Sequence, residues 1–206
     1  KFIYPPFIKS VSYFSFDLYQ KVFVKKKDSD VVIIDIDEKS LGKFGQFPWN
    51  RTVFAKILDQ LNTSDTKAIG FDIFFTEKDK QSPEEIIKSY GLIPSDVAEL
   101  QNLKSPDDLF AEKLKESKSI IAVLGSNVPS HTNYDRKAKA RFLSKGGDPF
   151  EFTYSYPFSI GSLEVLENNV KGLGSITFLD QLDGIIRSLP LIVQLNKKLY
   201  PTIGLE

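Results

Sequence analysis

Residues 31–37 read Val31-Val32-Ile33-Ile34-Asp35-Ile36-Asp37, an aliphatic run closed by two carboxylates. The polar break Lys25-Lys26-Lys27-Asp28-Ser29-Asp30 precedes it. A continuous apolar run bounded by charge predicts a strand buried on both faces. Glu38 to Gly42 reads as a short helical turn with Asp37 as its cap. Pro48 is expected to open a longer helix to about Leu61, because Val53, Phe54, Ile57, Leu58 and Leu61 form an apolar stripe at helical spacing. Ala68 to Phe75 reads as a second buried strand. Strand, helix, strand is a βαβ unit, so the two strands are predicted to run parallel.

Downstream, Ser82-Pro83-Glu84-Glu85 starts a helix that Gly91 ends. A short helix is expected over Pro94 to Leu100, and another from Ser105-Pro106 to about Ser117. Ser119 to Leu124 is a third buried strand. Ser126 to Pro157 reads as a long irregular loop. Gly174 to Leu179 and Ile185 to Leu195 look like strands joined through Asp180 to Gly184, and Asn196-Lys197 turns the chain into Lys198 to Pro201. Short links predict antiparallel pairing there. The fold class expected is therefore α/β: a mixed sheet, parallel βαβ strands first, an antiparallel meander at the C-terminal end, and helices on both faces.

Upstream, Phe2, Ile3, Tyr4, Phe7, Tyr13, Phe14 and Phe16 crowd around Pro5-Pro6. They suit either an interfacial aromatic belt beside a membrane span or a helix, Ser15 to Val24, that packs aromatics on the core. No apolar run reaches the ~18 residues of a spanning helix. No small-residue cleavage site marks a signal peptide. With Lys1 at the start and Met absent throughout, the chain is expected to be a processed product or a piece of a longer protein. Its 206 residues balance 27 basic against 27 acidic side chains, which disfavours a nucleic-acid binder. At 41% apolar and 26% charged it is not a disordered chain. Zero Cys removes a disulfide scaffold, a thiolate metal site and a Cys nucleophile.

Asp35, Asp37 and Asp72 fall at or near the C-terminal ends of predicted parallel strands, the edge where open α/β sheets bind ligands. Carboxylates there suit Mg²⁺ or a guanidinium, and equally a helix cap or loop ties. Arg51 stands in a first helical turn, against the positive end of the helix dipole, so an anion is expected beside it. Asp35 and Asp72 are the nearest expected, through a bidentate pair. Trp49 reads as core. Asp183-Gly184 is an ordinary turn pair, and Arg187 sits unexplained in the apolar stretch Ile185 to Pro190. His131, the one His, is expected in solvent. The basic stretch Arg136, Lys137, Lys139, Arg141 and Lys145 reads as a solvated loop or an anion-facing patch. No P-loop, GxGxxG, GxSxG or HExxH occurs.

Five stretches carry a resemblance: VVIIDIDEKSLGKFGQFPWNR (31–51), AIGFDIFFTE (68–77), SIIAVLG (119–125), LGSITFLDQLDGIIRSLPL (173–191) and LYPTIGLE (199–206). In that order they resemble the second type of CHASE domain, the cyclase- and histidine-kinase-associated sensory extracellular domains. The resemblance implies an extracytoplasmic, signal-input part of a bacterial membrane receptor, periplasmic or on the cell surface, with flanking transmembrane helices. It implies a cytoplasmic output domain such as an adenylate or guanylate cyclase or a histidine kinase, and a homodimeric receptor. A small-molecule or ionic ligand is implied without an identity; no cofactor, metal or nucleic acid is. The division expected is a juxtamembrane helical segment, 1–27, and a sensory domain, 28–206. Asp35, Asp37, Trp49, Arg51, Asp72, Glu77, Asp183, Gly184 and Arg187 match the family's motifs and form the expected ligand-binding or structural polar cluster. The long stretch from Glu77 to Leu109 and the 126–157 loop depart from that pattern. Two other readings stand beside it. One is a Mg²⁺-dependent haloacid-dehalogenase-like phosphatase with Asp35 as nucleophile, although Lys39 replaces the usual Thr or Val and Asp180-x-x-Asp183 is a poor later motif. The other is a structural dimerisation module without ligand.

Overall fold

A computed structural model of the chain describes residues 6–23, 30–93, 97–132, 134–178 and 183–206. Two compact units divide it, Lys1–Gln46 and Phe47–Glu206.

In the first unit, α1 runs Pro6–Phe23, nine residues earlier at its start than the expected Ser15, because Pro is at home in a first helical turn. Its aromatics are not core: Phe7, Phe14, Tyr19 and Phe23 are exposed. Among the described residues no helix is long and apolar enough to cross a membrane. The residues of the expected aromatic start before Pro6, and Lys25 to Ser29 of the polar break, lie outside the described residues. The expected strand over 31–37 is not formed. That segment has no ladder, and Val32 and Ile33 are 85% and 86% exposed. A strand exists only where a neighbouring backbone takes its hydrogen bonds, and composition cannot supply that neighbour. The short helix α2, Glu38–Phe44, follows as expected: Asp37 caps it, its Oδ1 accepting from Ser40 N at 2.8 Å.

The second unit is a mixed α/β structure. Its first helix, α3 (Arg51–Asn62), starts three residues after Pro48, since Asn50 is the residue whose side chain accepts from a first-turn amide, Thr52 N at 2.7 Å. Strand β1 is Ile69–Phe71, shorter than the expected Ala68 to Phe75. Helix α4 is Pro83–Tyr90, closed by Gly91 in the left-handed region (φ 61°). A single turn, α5, covers Ala98–Gln101, while Pro94 to Asp96 of the expected helix lie outside the described residues. Helix α6, Pro106–Glu116, has Ser105 as cap, Asp107 and Asp108 in its first turn and Lys113 and Lys115 in its last, each charge favourable to the helix dipole. Strand β2 is Ser119–Ser126.

The 126–157 stretch contains a 3-10 turn at Pro149–Phe152 and ends in β3, Tyr154–Tyr156. Strand β4 (Phe158–Ile160), helix α7 (Glu164–Asn169) and strand β5 (Gly172–Ser175) follow. Strands β6 (Ile192–Leu195) and β7 (Lys198–Pro201) end the chain's regular structure. One sheet has the order β1-β2-β4, with β5 also on β2; β1 and β5 run parallel to β2, and β4 antiparallel. The other has the order β3-β6-β7, with β6–β7 an antiparallel hairpin. Asn196 and Lys197, both at positive φ (47° and 62°), make the expected two-residue turn. The expected antiparallel pairing of Gly174–Leu179 with Ile185–Leu195 is not found: β5 pairs with β2, and β6 with β3 and β7. The link through Leu179 to Leu182, Asp180 included, lies outside the described residues.

Phe54, Phe71, Phe75 and Phe110 interlock edge to face at the core, with ring centres 5.1 Å apart for Phe54–Phe75 and 5.2 Å for Phe75–Phe110. Leu58, Leu114, Ile121, Leu166 and Leu173 close it, and α6 packs on both α3 and α7. Gly174 is tightly enclosed. A Cβ there would run into Ile203 Cα and lie 2.8 Å from Ile203 N. Ile203 cannot retreat, because its N–H donates to Ser175 O at 3.1 Å. Gly174→Ala is therefore expected to cost about 1–3 kcal/mol or more in urea unfolding, whereas Gly147→Ala, with nothing near, is expected to change little.

Candidate functional site

Arg51 is the first residue of α3, and it is 6% exposed. A buried guanidinium at a helix N-terminus needs acceptors, and two segments, 77–79 and the first turn of α6, surround Arg51 with them. Its own amide donates to Asp79 Oδ2 at 2.6 Å. Its Nη2 donates to Glu77 O at 2.8 Å. Its Nε lies 3.2 Å from Asp107 Oδ1, in the first turn of α6. That contact is Coulombic, since neither atom makes a well-angled hydrogen bond. The guanidinium also stacks 4.7 Å from the Phe75 ring centre.

The two aspartates are cross-tied. Asp79 N donates to Asp107 Oδ2 at 2.8 Å, and Ser82 Oγ reaches the same oxygen at 3.4 Å. Asp79 Oδ1 accepts from Asn50 Nδ2 at 3.1 Å and Gln81 N at 2.8 Å. Ser82, the cap of α4, meets Ser105, the cap of α6, at 3.1 Å. One polar clamp thus joins the starts of α3, α4 and α6. Burial pushes the Asp107 carboxyl above the usual carboxylate range, against the pull of the Asp79 amide and Arg51. A carboxyl raised in the fold holds its proton more tightly folded than unfolded. Its contribution is then full below the ordinary carboxylate pKa and is lost as pH rises through the folded value. The stability gap between wild type and Asp107→Asn is expected to be wider at pH 4 than at pH 7, read by urea titration at both.

The expected partners of Arg51 are placed elsewhere. Asp72, just past β1, is exposed, and so is the Glu77 side chain, whose backbone carbonyl serves instead. Asp35 is exposed and Asp37 caps α2, both in the first unit. Trp49 is buried, its ring 6.3 Å from those of Phe47 and Phe54. Asp183 and Arg187 pair with each other, Nη1 to Oδ1 at 3.0 Å and Nη2 to Oδ2 at 2.7 Å. The Arg187 hydrogen bond holds the Asp183 carboxyl below its ordinary range. Gly184 takes the positive φ (71°) the turn requires. Among the described residues no group of three or more His, Asp or Glu is placed to hold a metal ion.

A second clamp lies in the segment read as irregular. Arg136, expected in solvent or facing an anion, is 3% exposed. Its Nε lies 2.9 Å from Glu167 Oε2. Its other nitrogens donate to Ser159 Oγ at 2.6 Å and to Thr132 O. Glu167 also accepts from Tyr134 Oη at 2.5 Å and Ser162 N at 2.7 Å. Burial pushes the Glu167 carboxyl up despite Arg136, and pushes the Tyr134 phenol up as well. From the hairpin, Tyr200 Oη at 3.3 Å and Lys198 Nζ at 2.9 Å donate to Arg136 O. Asp79, Asp107 and Glu167 were missed by sequence reasoning. Asp107 was visible only as helix-start chemistry, and Glu167 lay in an interval that carried no motif. His131, Lys137 and Arg141 are exposed.

A family model for the CHASE2 domain matches residues 2–206. No curated protein and no solved structure matches the chain. Since the match spans essentially the whole chain, this protein belongs to the CHASE2 domain family, a family of sensory extracellular domains associated with cyclase and kinase receptors.

Proposed function

We propose that this chain is the extracytoplasmic signal-input part of a bacterial membrane receptor, and that it governs a cytoplasmic nucleotide cyclase or histidine kinase. Family membership over residues 2–206 carries the reading. The Arg51–Asp79–Asp107 clamp supports a rigid body: it fixes three helix starts and leaves Asp72 and Glu77 facing solvent, free to meet a small-molecule or ionic ligand. Asp183 and Arg187, in the same unit, belong to the proposed polar set. Such a ligand works only by favouring one arrangement of the receptor over another. The parent gene tests the class: membrane spans and a cyclase or kinase domain are expected, and a freestanding cytosolic product overturns it. Thermal unfolding against inorganic anions, divalent cations, amino acids and dicarboxylates tests the ligand. A binder present at a hundredfold its Kd stabilises by about 2.7 kcal/mol, and the gain is expected to shrink in Asp72→Asn. A flat panel favours a module without ligand.

A further inference from the structure

The loop that the second clamp pins is charged in one sense only. Between Lys137 and Gly147 stand four cations, Lys137, Lys139, Arg141 and Lys145, and no acid. Among the described residues no ion pair engages Lys137, Arg141 or Lys145. Lys139 Nζ donates to Asn168 O at 3.2 Å, at the end of α7. Burial pushes its ammonium below the ordinary range despite Glu167, and Lys137 and Lys171 push the same way. Lys171 therefore adds a fifth cation to the patch. Like charges crowded on one surface gain from an anion that answers them together.

The same loop holds apolar side chains in water. Leu143 is fully exposed, with Arg141 and Lys145 each two residues away. Phe150 and Phe152, on the 3-10 turn that Asp148 caps, are 39% and 82% exposed. From Lys137 to Gly147 the backbone is neither helix nor strand. Its amides and carbonyls depend on water, so this loop cannot sink into hydrocarbon. Its side chains can still reach across a headgroup layer, with ammonium groups at phosphate depth and Leu and Phe at the acyl boundary. A soluble polyanion answers the charge and leaves Leu143 and Phe152 in water. A bilayer bearing anionic headgroups answers both. The loop is presented from fixed ends, Arg136 held by Glu167 and Tyr154–Tyr156 by β6.

We propose that the 137–152 loop is a shallow docking surface for the anionic headgroups of a lipid bilayer. Lys137, Arg141 and Lys145 meet the phosphates, and Leu143 and Phe152 dip to the acyl boundary. Every residue of this surface belongs to the unit Phe47–Glu206. The receptor reading sets a bilayer nearby, but the contact is tested on vesicles and stands apart from the parent gene.

The full chain is sedimented with vesicles of phosphatidylcholine alone and of equal parts phosphatidylcholine and phosphatidylglycerol. Tighter binding to the second kind is expected, falling as salt rises toward about 1 M. Helix α1 also exposes aromatics, so the loop variants decide. Lys137→Gln, Arg141→Gln and Lys145→Gln together are expected to weaken that binding roughly a hundredfold, at about fivefold per charge. The same charge removed from the exposed Lys56, Lys80 and Lys88 is expected to cost much less. Leu143→Asp is expected to weaken binding about tenfold or more. The substituted side chains are exposed, so unchanged urea midpoints separate docking from folding. In Leu143→Trp the introduced indole is expected to be quenched by brominated phosphatidylglycerol, while Trp49, 7% exposed, is not. Vesicle binding indifferent to the loop variants overturns the proposal, and so does an unquenched indole or an equal loss from both sets of lysines. Loss with the three Gln changes but not with Leu143→Asp marks a purely electrostatic polyanion site and overturns it as well. A dimer that Leu143→Asp dissolves, with no vesicle binding, gives the loop to a second copy and overturns it too.

Discussion

Arg51→Ala is expected to lower stability by about 3–5 kcal/mol, the cost of removing one member of a buried ion pair. The loss exceeds that of a surface bridge because Asp107 is itself 4% exposed, and its Oδ1 would face no counter-charge. The Glu77 carbonyl and the Phe75 ring lose a partner in the same step. Arg51→Lys is expected to recover only part of the loss, since an ammonium cannot serve Glu77 O and Asp107 from a planar fork. A paired replacement, Arg51→Met with Asp107→Leu, is expected to remain unstable, unlike ion pairs that exchange neutrally for apolar ones. The reason is that Asp107 Oδ2 also receives the Asp79 amide, and Leu leaves that N–H buried without an acceptor. Guanidinium-chloride unfolding of the four chains decides the order. A wild-type-like Arg51→Ala removes the clamp from the account.

Glu167→Ala is expected to be as costly, again about 3–5 kcal/mol, and to act on a different part of the molecule. Glu167 gathers Arg136, Tyr134 and the Ser162 amide. Without it a guanidinium stays buried, and the 130–139 segment loses its tie to α7. Gly161→Ala is expected to mimic the effect from the other side, because a Cβ there meets Glu167 Oε1 and lies 2.8 Å from Arg136 Nε. Proteolysis reads this locally: cleavage within 137–147 is expected to accelerate in Glu167→Ala, while Arg51→Ala leaves the first cut there unchanged. Equal acceleration in both would mean that the two clamps report only global unfolding.

Much of the second unit was legible because its signals are local. Pro83 after Ser82, the Ser105 side chain with Pro106, and Asn196-Lys197 specify two helix starts and a turn through local φ preferences and one side-chain cap, and each is found where expected. The need of Arg51 for an anion was legible in the same way, from its place in a first turn. Which anion was not, because Asp107 reaches it only once α6 packs on α3, and that contact is remote in sequence. The 31–37 run shows the opposite failure. Its composition announces an extended buried segment, yet the ladder depends on a neighbour that local chemistry does not name. Glu167 follows Leu163-Glu164 in a six-residue helix with no side-chain cap, too short and too plain to stand out.

The two clamps also set how the protein responds to brine. Counter-ions reach the surface bridges, such as Lys113 with Asp59, and at about 1 M salt the screening length falls to roughly 3 Å. They do not reach Arg51 or Arg136, whose side chains are 7% and 2% exposed. Salinity can therefore erase the outer charge pattern while the loops pinned by these guanidinium groups keep their shape.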